Sequence, residues 1–215
     1  MKLKYKKLVI LITVATLGLS FFILTLIPTG GSNKKNVEDT ELELNTNEDI
    51  NQLVKNFLEA KKTVDMEAMS SLVSDPNGIE TEKFMKMAEY VEDYQNMKCY
   101  VIQNEDDEAW RVYVKYDMKL KNIDTLTPCL SAFYITMTSD SNYIIFLSAL
   151  DEAQQEFIQA ADNNEKIVSL KEQVTAELQE AIDKDAMVKQ FYQNIDQGIE
   201  SATNTVPGVT QTAVQ

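Results

Sequence analysis

Histidine is absent from this chain. That removes imidazole acid–base chemistry, Ser-His-Asp and Cys-His pairs, and histidine-ligated zinc or haem. Glycine occurs six times (Gly18, Gly30, Gly31, Gly78, Gly198, Gly208) and never in a phosphate-cradling cluster, so P-loop and dinucleotide readings fail. Cysteine is limited to Cys99 and Cys129. Positive charge is scarce too. Four of the 20 basic residues (Lys2, Lys4, Lys6, Lys7) precede the apolar N-terminal run, and the rest of the chain sets 16 against 34 acidic residues. A surface that negative repels phosphate backbones and anionic headgroups, and no basic stripe is present. No nucleic-acid partner is expected, and no cofactor or metal is implied.

What is present begins with Leu8–Ile27, a run of twenty residues without a charge. At ~1.5 Å per residue it spans roughly 30 Å, a bilayer core. A cleaved secretory signal has a shorter apolar region and a small-residue cleavage site, whereas this run ends FFILTLIPTGG, with no A-x-A and no lipid-anchoring cysteine. The expectation is a retained single-pass anchor in the cell membrane. Lysines before it and acidic residues after it place residues 1–7 in the cytoplasm and the rest outside the cell. Residues 28–47 are polar and aperiodic, a tether in which Leu42 and Leu44 offer at most a stray strand.

Helical spacing starts at Ile50. Ile50, Leu53, Val54, Phe57 and Leu58 form one apolar stripe, with Thr46 or Asn47 as N-cap. A short helix follows Asp65, with Met66, Met69, Leu72 and Val73 inward, and the SDPNG segment then breaks the chain. A third helix is expected from about Glu80 to Tyr94, turning Phe84, Met87, Ala88 and Val91 to one side. Its methionines are ordinary core spacing.

Four apolar runs follow, MKCYVIQN, AWRVYVKYDMKLKN, TPCLSAFYITMT and NYIIFLS, separated by EDDE, IDTLT and SDS. β-branched and aromatic runs spaced by turn chemistry predict an antiparallel meander. Keeping one apolar face together predicts the register. Val101 and Cys99 pair with Val112 and Val114. Val112, Val114 and Tyr116 pair with Met137, Ile135 and Phe133, and Met118 lies beside Ser131. Ile144 and Phe146 pair with Met137 and Ile135. The opposite face carries Tyr100, Ile102, Tyr113, Tyr134, Tyr143, Ile145 and Leu147, too apolar for a solvated surface, so either the C-terminal helices or another subunit must cover it.

After Asp151 the period is helical again. Phe157, Ile158 and Ala161 share one helix, and a stripe from Ile167 through Ile182 continues to Val188, Phe191, Tyr192 and Ile195. Gly198 is the expected C-cap, and residues 200–215 are expected to be disordered. The predicted organisation is cytoplasmic 1–7, anchor 8–27, tether 28–47, α+β domain 48–149, helical extension 150–199 and tail 200–215.

Three helices followed by a curved antiparallel sheet resemble the nuclear transport factor 2-like cone fold, also called SnoaL-like, over residues 47–148. The long strand AWRVYVKYDMKLKN returning through TPCLSAFYITMT to NYIIF carries the likeness. The stretch also resembles small anchored proteins of unknown role in Gram-positive bacteria, in which a strand ending Y/F-D meets a Thr-Pro turn and then S-x-F-Y. The resemblance implies three helices packed on a four-stranded cone, with a pocket between them used for catalysis, binding or dimerisation.

Candidate residues follow. Tyr90, Tyr116, Met118, Ser131 and Phe133 are expected to line the pocket. Tyr100, Tyr113, Tyr134 and Tyr143 are expected to meet a protein partner or a second copy. Asp117 is the one carboxylate inside a strand, but the register turns it away from the pocket beside Lys115 and Lys119, so no catalytic residue is assigned. Cys99 and Cys129, opposite Val114 and Leu120, lie about 20 Å apart along the strand, beyond the ~7 Å that a disulfide bridges; two separate buried thiols are expected. Glu105–Glu108 lack the spacing of a calcium loop and form an acidic turn. The functional expectation is a membrane-anchored extracytoplasmic binding or interaction module without enzymatic activity. The alternatives are a small-molecule-processing enzyme using the pocket and a scaffold subunit of a conjugation or secretion apparatus.

Overall fold

The computed structural model describes residues 43–44, 47–104 and 107–203. The apolar run 8–27, Glu105 and Asp106 at the acidic turn, and residues 204–215 lie outside the described residues. No helix among the described residues is long and apolar enough to cross a membrane.

The architecture is α+β. Strand β1 (Glu43–Leu44) is followed by helices α1 (Glu48–Thr63), α2 (Met66–Ser71) and α3 (Thr81–Tyr90). Strands β2 (Val91–Asn104), β3 (Ala109–Leu120), β4 (Thr127–Met137) and β5 (Tyr143–Ile145) come next, then α4 (Glu152–Asp162), α5 (Glu165–Lys184) and α6 (Ala186–Thr203). The strands form one antiparallel sheet in the order β1-β2-β3-β4-β5. The tether therefore contributes an edge strand, making five where four were expected.

Local chemistry sets the helix starts. Asn47 caps α1, its side-chain oxygen accepting from the Asp49 and Ile50 amides at 3.1 Å, while its Nδ2 donates to the Tyr143 hydroxyl at 2.8 Å. Asp65 caps α2 by accepting from the Ala68 amide, and Asp151 closes a capping box with Gln154 at α4. At the break between α2 and α3, a Cβ on Gly78 would stand 2.9 Å from the Leu147 Cβ, so this glycine permits a close approach to the end of the sheet.

Four expectations are corrected. The third helix stops at Tyr90 rather than Tyr94, and residues 91–96 are strand. β3 is twelve residues long, and its backbone groups need partners along that whole length; Val91↔Leu120 and Tyr94↔Met118 supply them across two bulges. Between β3 and β4 the register is four residues away from expectation, with Val112↔Phe133 and Tyr116↔Cys129. An even shift leaves the same side chains inward, so burial alone is blind to it. β5 is displaced by one residue (Ile135↔Ile145), which turns Ile145 and Tyr143 to the α1–α3 side and Phe146 to the other. Finally, α6 runs through Gly198 to Thr203, so Gly198 is not a C-cap.

Two hydrophobic cores result, one on each face. The first joins Ile50, Val54, Phe57 and Met69 of the N-terminal helices to Val112, Val114, Phe133 and Ile135, and includes Val188, Phe191 and Tyr192 of α6. The second sets Phe157, Ile158, Ile167, Leu170 and Val174 of α4 and α5 against Ile102, Tyr113, Leu130 and Tyr134. The chain's own C-terminal helices thus cover the second face.

Candidate functional site

The second face is fastened by a buried polar network. Arg111 donates from Nε and Nη2 to the two carboxylate oxygens of Asp162, each at 3.1 Å, and the Tyr113 hydroxyl donates to the same carboxylate. Lys171 Nζ donates to the Asp162 carbonyl at 2.9 Å. Burial penalises the Asp162 charge, yet Arg111, Lys171 and Tyr113 outweigh it and hold its pKa below the usual carboxylate value. This network ties the end of α4 to the sheet.

It also corrects the expected interface. Tyr113 is fully buried, Tyr134 packs on Phe146 and Phe157, and Tyr100 packs against the same core. Tyr143 lies on the other face, edge-on to Trp110 with ring centroids 4.9 Å apart. Tyr113 and Tyr134 are thus buried within their own chain, and Tyr100 and Tyr143 are partly buried against it.

Between the sheet and the N-terminal helices lies a cluster of polar groups inside the first core. Tyr116 and Ser131 share a hydrogen bond at 3.1 Å. Met118 and Phe133 are buried beside them, Phe133 meeting the Phe57 ring edge-on at 5.8 Å. Four of the five expected lining residues therefore sit together, as packed core rather than the wall of an open pocket. Tyr90 is the correction. It ends α3 half-exposed and stacks on Phe191 at 5.5 Å.

The cluster contains residues the sequence reading passed over. Lys61 is 3% exposed, with its Nζ 5.1 Å from the Phe84 ring centre and 5.8 Å from that of Tyr94, cation–π distances. Burial lowers its pKa to about 8, against an opposing influence from Cys129. Tyr94 stacks edge-on to Tyr116 at 5.3 Å. The Tyr192 hydroxyl lies within hydrogen-bonding reach of the Thr127 and Cys129 side chains. Burial pushes Cys129 up to about 12 and holds Tyr94, Tyr116 and Tyr192 protonated well above the ordinary phenol range. The signal for Lys61 was available: it follows Phe57 by four residues and Val54 by seven, on the apolar stripe of α1.

Cys99 and Cys129 are both buried and not bridged. They pair with Val114 and Tyr116, on opposite flanks of β3. Two strand spacings and two residues of rise, about 12 Å, therefore separate them. That is closer than the roughly 20 Å expected, because Cys129 pairs with Tyr116 rather than Leu120.

Outside the core, a shallow groove of about 450 Å³ is lined by Asn96, Met97, Lys98, Lys115, Asp117 and Glu177. Asn96 adopts a left-handed backbone (φ 54°) at the β2 bulge and donates to Asp117 at 2.7 Å. Lys115 pairs with Glu177 at 2.7 Å. Asp117 thus faces away from the inner cluster, as its register predicted. Among the described residues, no group of His, Cys, Asp and Glu side chains is placed to hold a metal ion.

Fold and site define a sheet wrapped on both faces by its own helices, with its titratable interior closed. Comparison with family models, with curated proteins and with solved structures finds no match.

Proposed function

We propose that this protein is a binding or interaction module of the nuclear transport factor 2-like cone type, held outside the cell by the apolar run 8–27, and that it performs no catalysis. The carrying observation is the closure of the helix–sheet interior, where Tyr116, Ser131, Cys129 and Lys61 are all buried and Tyr192 of α6 lies against Cys129 and Thr127. A general acid or base must reach a substrate proton, and these groups are turned into packed core instead. The charges in the open groove neutralise one another through Lys115–Glu177, with Asp117 held by Asn96. The enzymatic alternative keeps one supporting feature, the amine of Lys61 with its lowered pKa, a state that suits nucleophilic chemistry once exposed.

Two measurements test the reading. Protease added to intact cells should digest the domain while sparing the N-terminal lysine-rich segment; full protection would overturn the location. Cross-linking in native membranes, repeated with Met85→Glu, Tyr90→Glu and Met187→Glu at the most exposed apolar side chains, should give a defined adduct that the charged variants weaken. Absence of any adduct would overturn the interaction reading.

A further inference from the structure

We propose that the groove at the β2 bulge binds a compact zwitterion of dipeptide size, with Lys98 taking its carboxylate and Asp117 its ammonium group. The inference rests on the binding reading above and gives that reading a ligand class.

The groove holds about 450 Å³, with residues of β2 and β3 as its floor and Glu177 of α5 at its side. Lys98 stands directly opposite Lys115 across the ladder, and like charges so placed repel. Glu177 relieves one of the two. Its carboxylate accepts from Lys115 at 2.7 and 2.8 Å and from Gln173 at 2.8 Å. Burial penalises that charge, but the bonds from Lys115 and Gln173 outweigh it and Lys98 adds to the pull, so Glu177 is held below the usual carboxylate value. Lys98 itself makes no ion pair among the described residues, and neither does Asp117. The groove is thus neutral as a whole, yet one cation and one anion in it have no ion-pair partner.

The bulge holds those two charges in place. The β2–β3 register slips between Gln95 and Lys98, and Asn96, in the left-handed region that asparagine tolerates, donates to Asp117 at 2.7 Å. That bond orients the Asp117 carboxylate but leaves its charge uncompensated, since the Asn96 amide is neutral. Asp117 lies two residues beyond Lys115, the partner of Lys98, so Lys98 and Asp117 are diagonal neighbours with Cα atoms about 7–8 Å apart. An extended dipeptide spans roughly 7 Å, and its two ends therefore meet both groups at once in charge-assisted hydrogen bonds. A simple anion satisfies Lys98 and leaves Asp117, while a free α-amino acid carries both charges on one carbon, too close together to bridge the pair. A carboxylate bound at Lys98 also eases its repulsion with Lys115.

The test titrates the full chain in lipid nanodiscs with glycylglycine, read by calorimetry. N-acetylglycylglycine, which lacks the ammonium group, and glycylglycinamide, which lacks the carboxylate, are the controls. Glycylglycine should bind saturably, and each blocked form at least about tenfold more weakly. Lys98→Gln should cost glycylglycine about tenfold in affinity and leave glycylglycinamide unaffected. Asp117→Asn should weaken glycylglycine about as much and leave N-acetylglycylglycine unaffected. No saturable binding of glycylglycine, equal binding of the three probes, or a variant that weakens all three alike overturns the site. Both side chains line the open groove, and if either variant loses its cooperative melt, the blocked probes on the unaltered protein decide alone. Failure here leaves the cross-linking result untouched, so the two readings fall separately.

Discussion

Asp162→Asn isolates what fastens the C-terminal helices to the sheet. The substitution preserves size and an acceptor for Tyr113, but removes the charge facing Arg111. The Arg111 side chain is 9% exposed and that of Asp162 29%, so the variant leaves a guanidinium nearly buried without its anion. Breaking a buried pair this way costs about 3–5 kcal/mol. Water at Asp162 screens part of this, which favours the low end, about 3 kcal/mol. In a domain of this size each kcal/mol lowers the Tm by ~2–4 °C, so a fall of roughly 6–12 °C is expected. Circular dichroism melts of the full chain in detergent measure it. The pH dependence supplies a second check. Because the folded Asp162 is held below its ordinary value of 3.8, its contribution is complete above that value and is lost as the pH falls through the lower, folded one. The gap between variant and parent should therefore close in acid. A variant within about 1 °C of the parent at neutral pH would refute the reasoning.

Three further outcomes follow from the same geometry. Lys61 has its pKa lowered from 10.5 to about 8; between those values the unfolded chain holds a proton the folded one has lost, so stability rises with pH there. Lys61→Met should remove that rise and increase the Tm near neutrality, and an unchanged slope would refute the assignment. Asp185→Ala loses the carboxylate that accepts from the Met187 and Val188 amides at the start of α6 and should, by hydrogen exchange, lower protection in α6 more than in α5; uniform loss would contradict this capping role. Burial raises Cys99 to about 11 and Cys129 to about 12, so neither should react with an aromatic disulfide reagent in the folded protein. Prompt labelling of both would show that the interior is open.

The inner face shows how far pattern carries. β3 alternates so strongly that Val112, Val114, Tyr116 and Met118 were placed correctly, and the β2–β3 pairing of Cys99 with Val114 came from the same rule. β5 defeated the rule because both of its faces are apolar: Tyr143 and Ile145 satisfy a core as well as Ile144 and Phe146 do, and the register is fixed instead by the turn Thr138–Asn142 and by the Ile145 backbone bonds to Leu72 and Ser74. The site was legible in part. Tyr116, Ser131, Met118 and Phe133 were grouped because strand partners are neighbours. Lys61, Tyr94 and Tyr192 were not, since a lysine on an apolar stripe, a residue taken for helix and an aromatic 76 positions beyond Tyr116 converge only after folding.

The chain's own residues determined most of which segments are helix and which are strand, residues 91–96 and the Glu43–Leu44 edge strand excepted, where most helices begin, and that neither face of the sheet suits water. Those are consequences of period and capping chemistry, which act over a few residues. Tertiary structure alone decided that α4 and α5 supply the missing cover, that Arg111 and Asp162 meet, and that α6 folds back to close the interior. Each of these depends on surfaces far apart in sequence finding one another, and a linear pattern carries no distance between them.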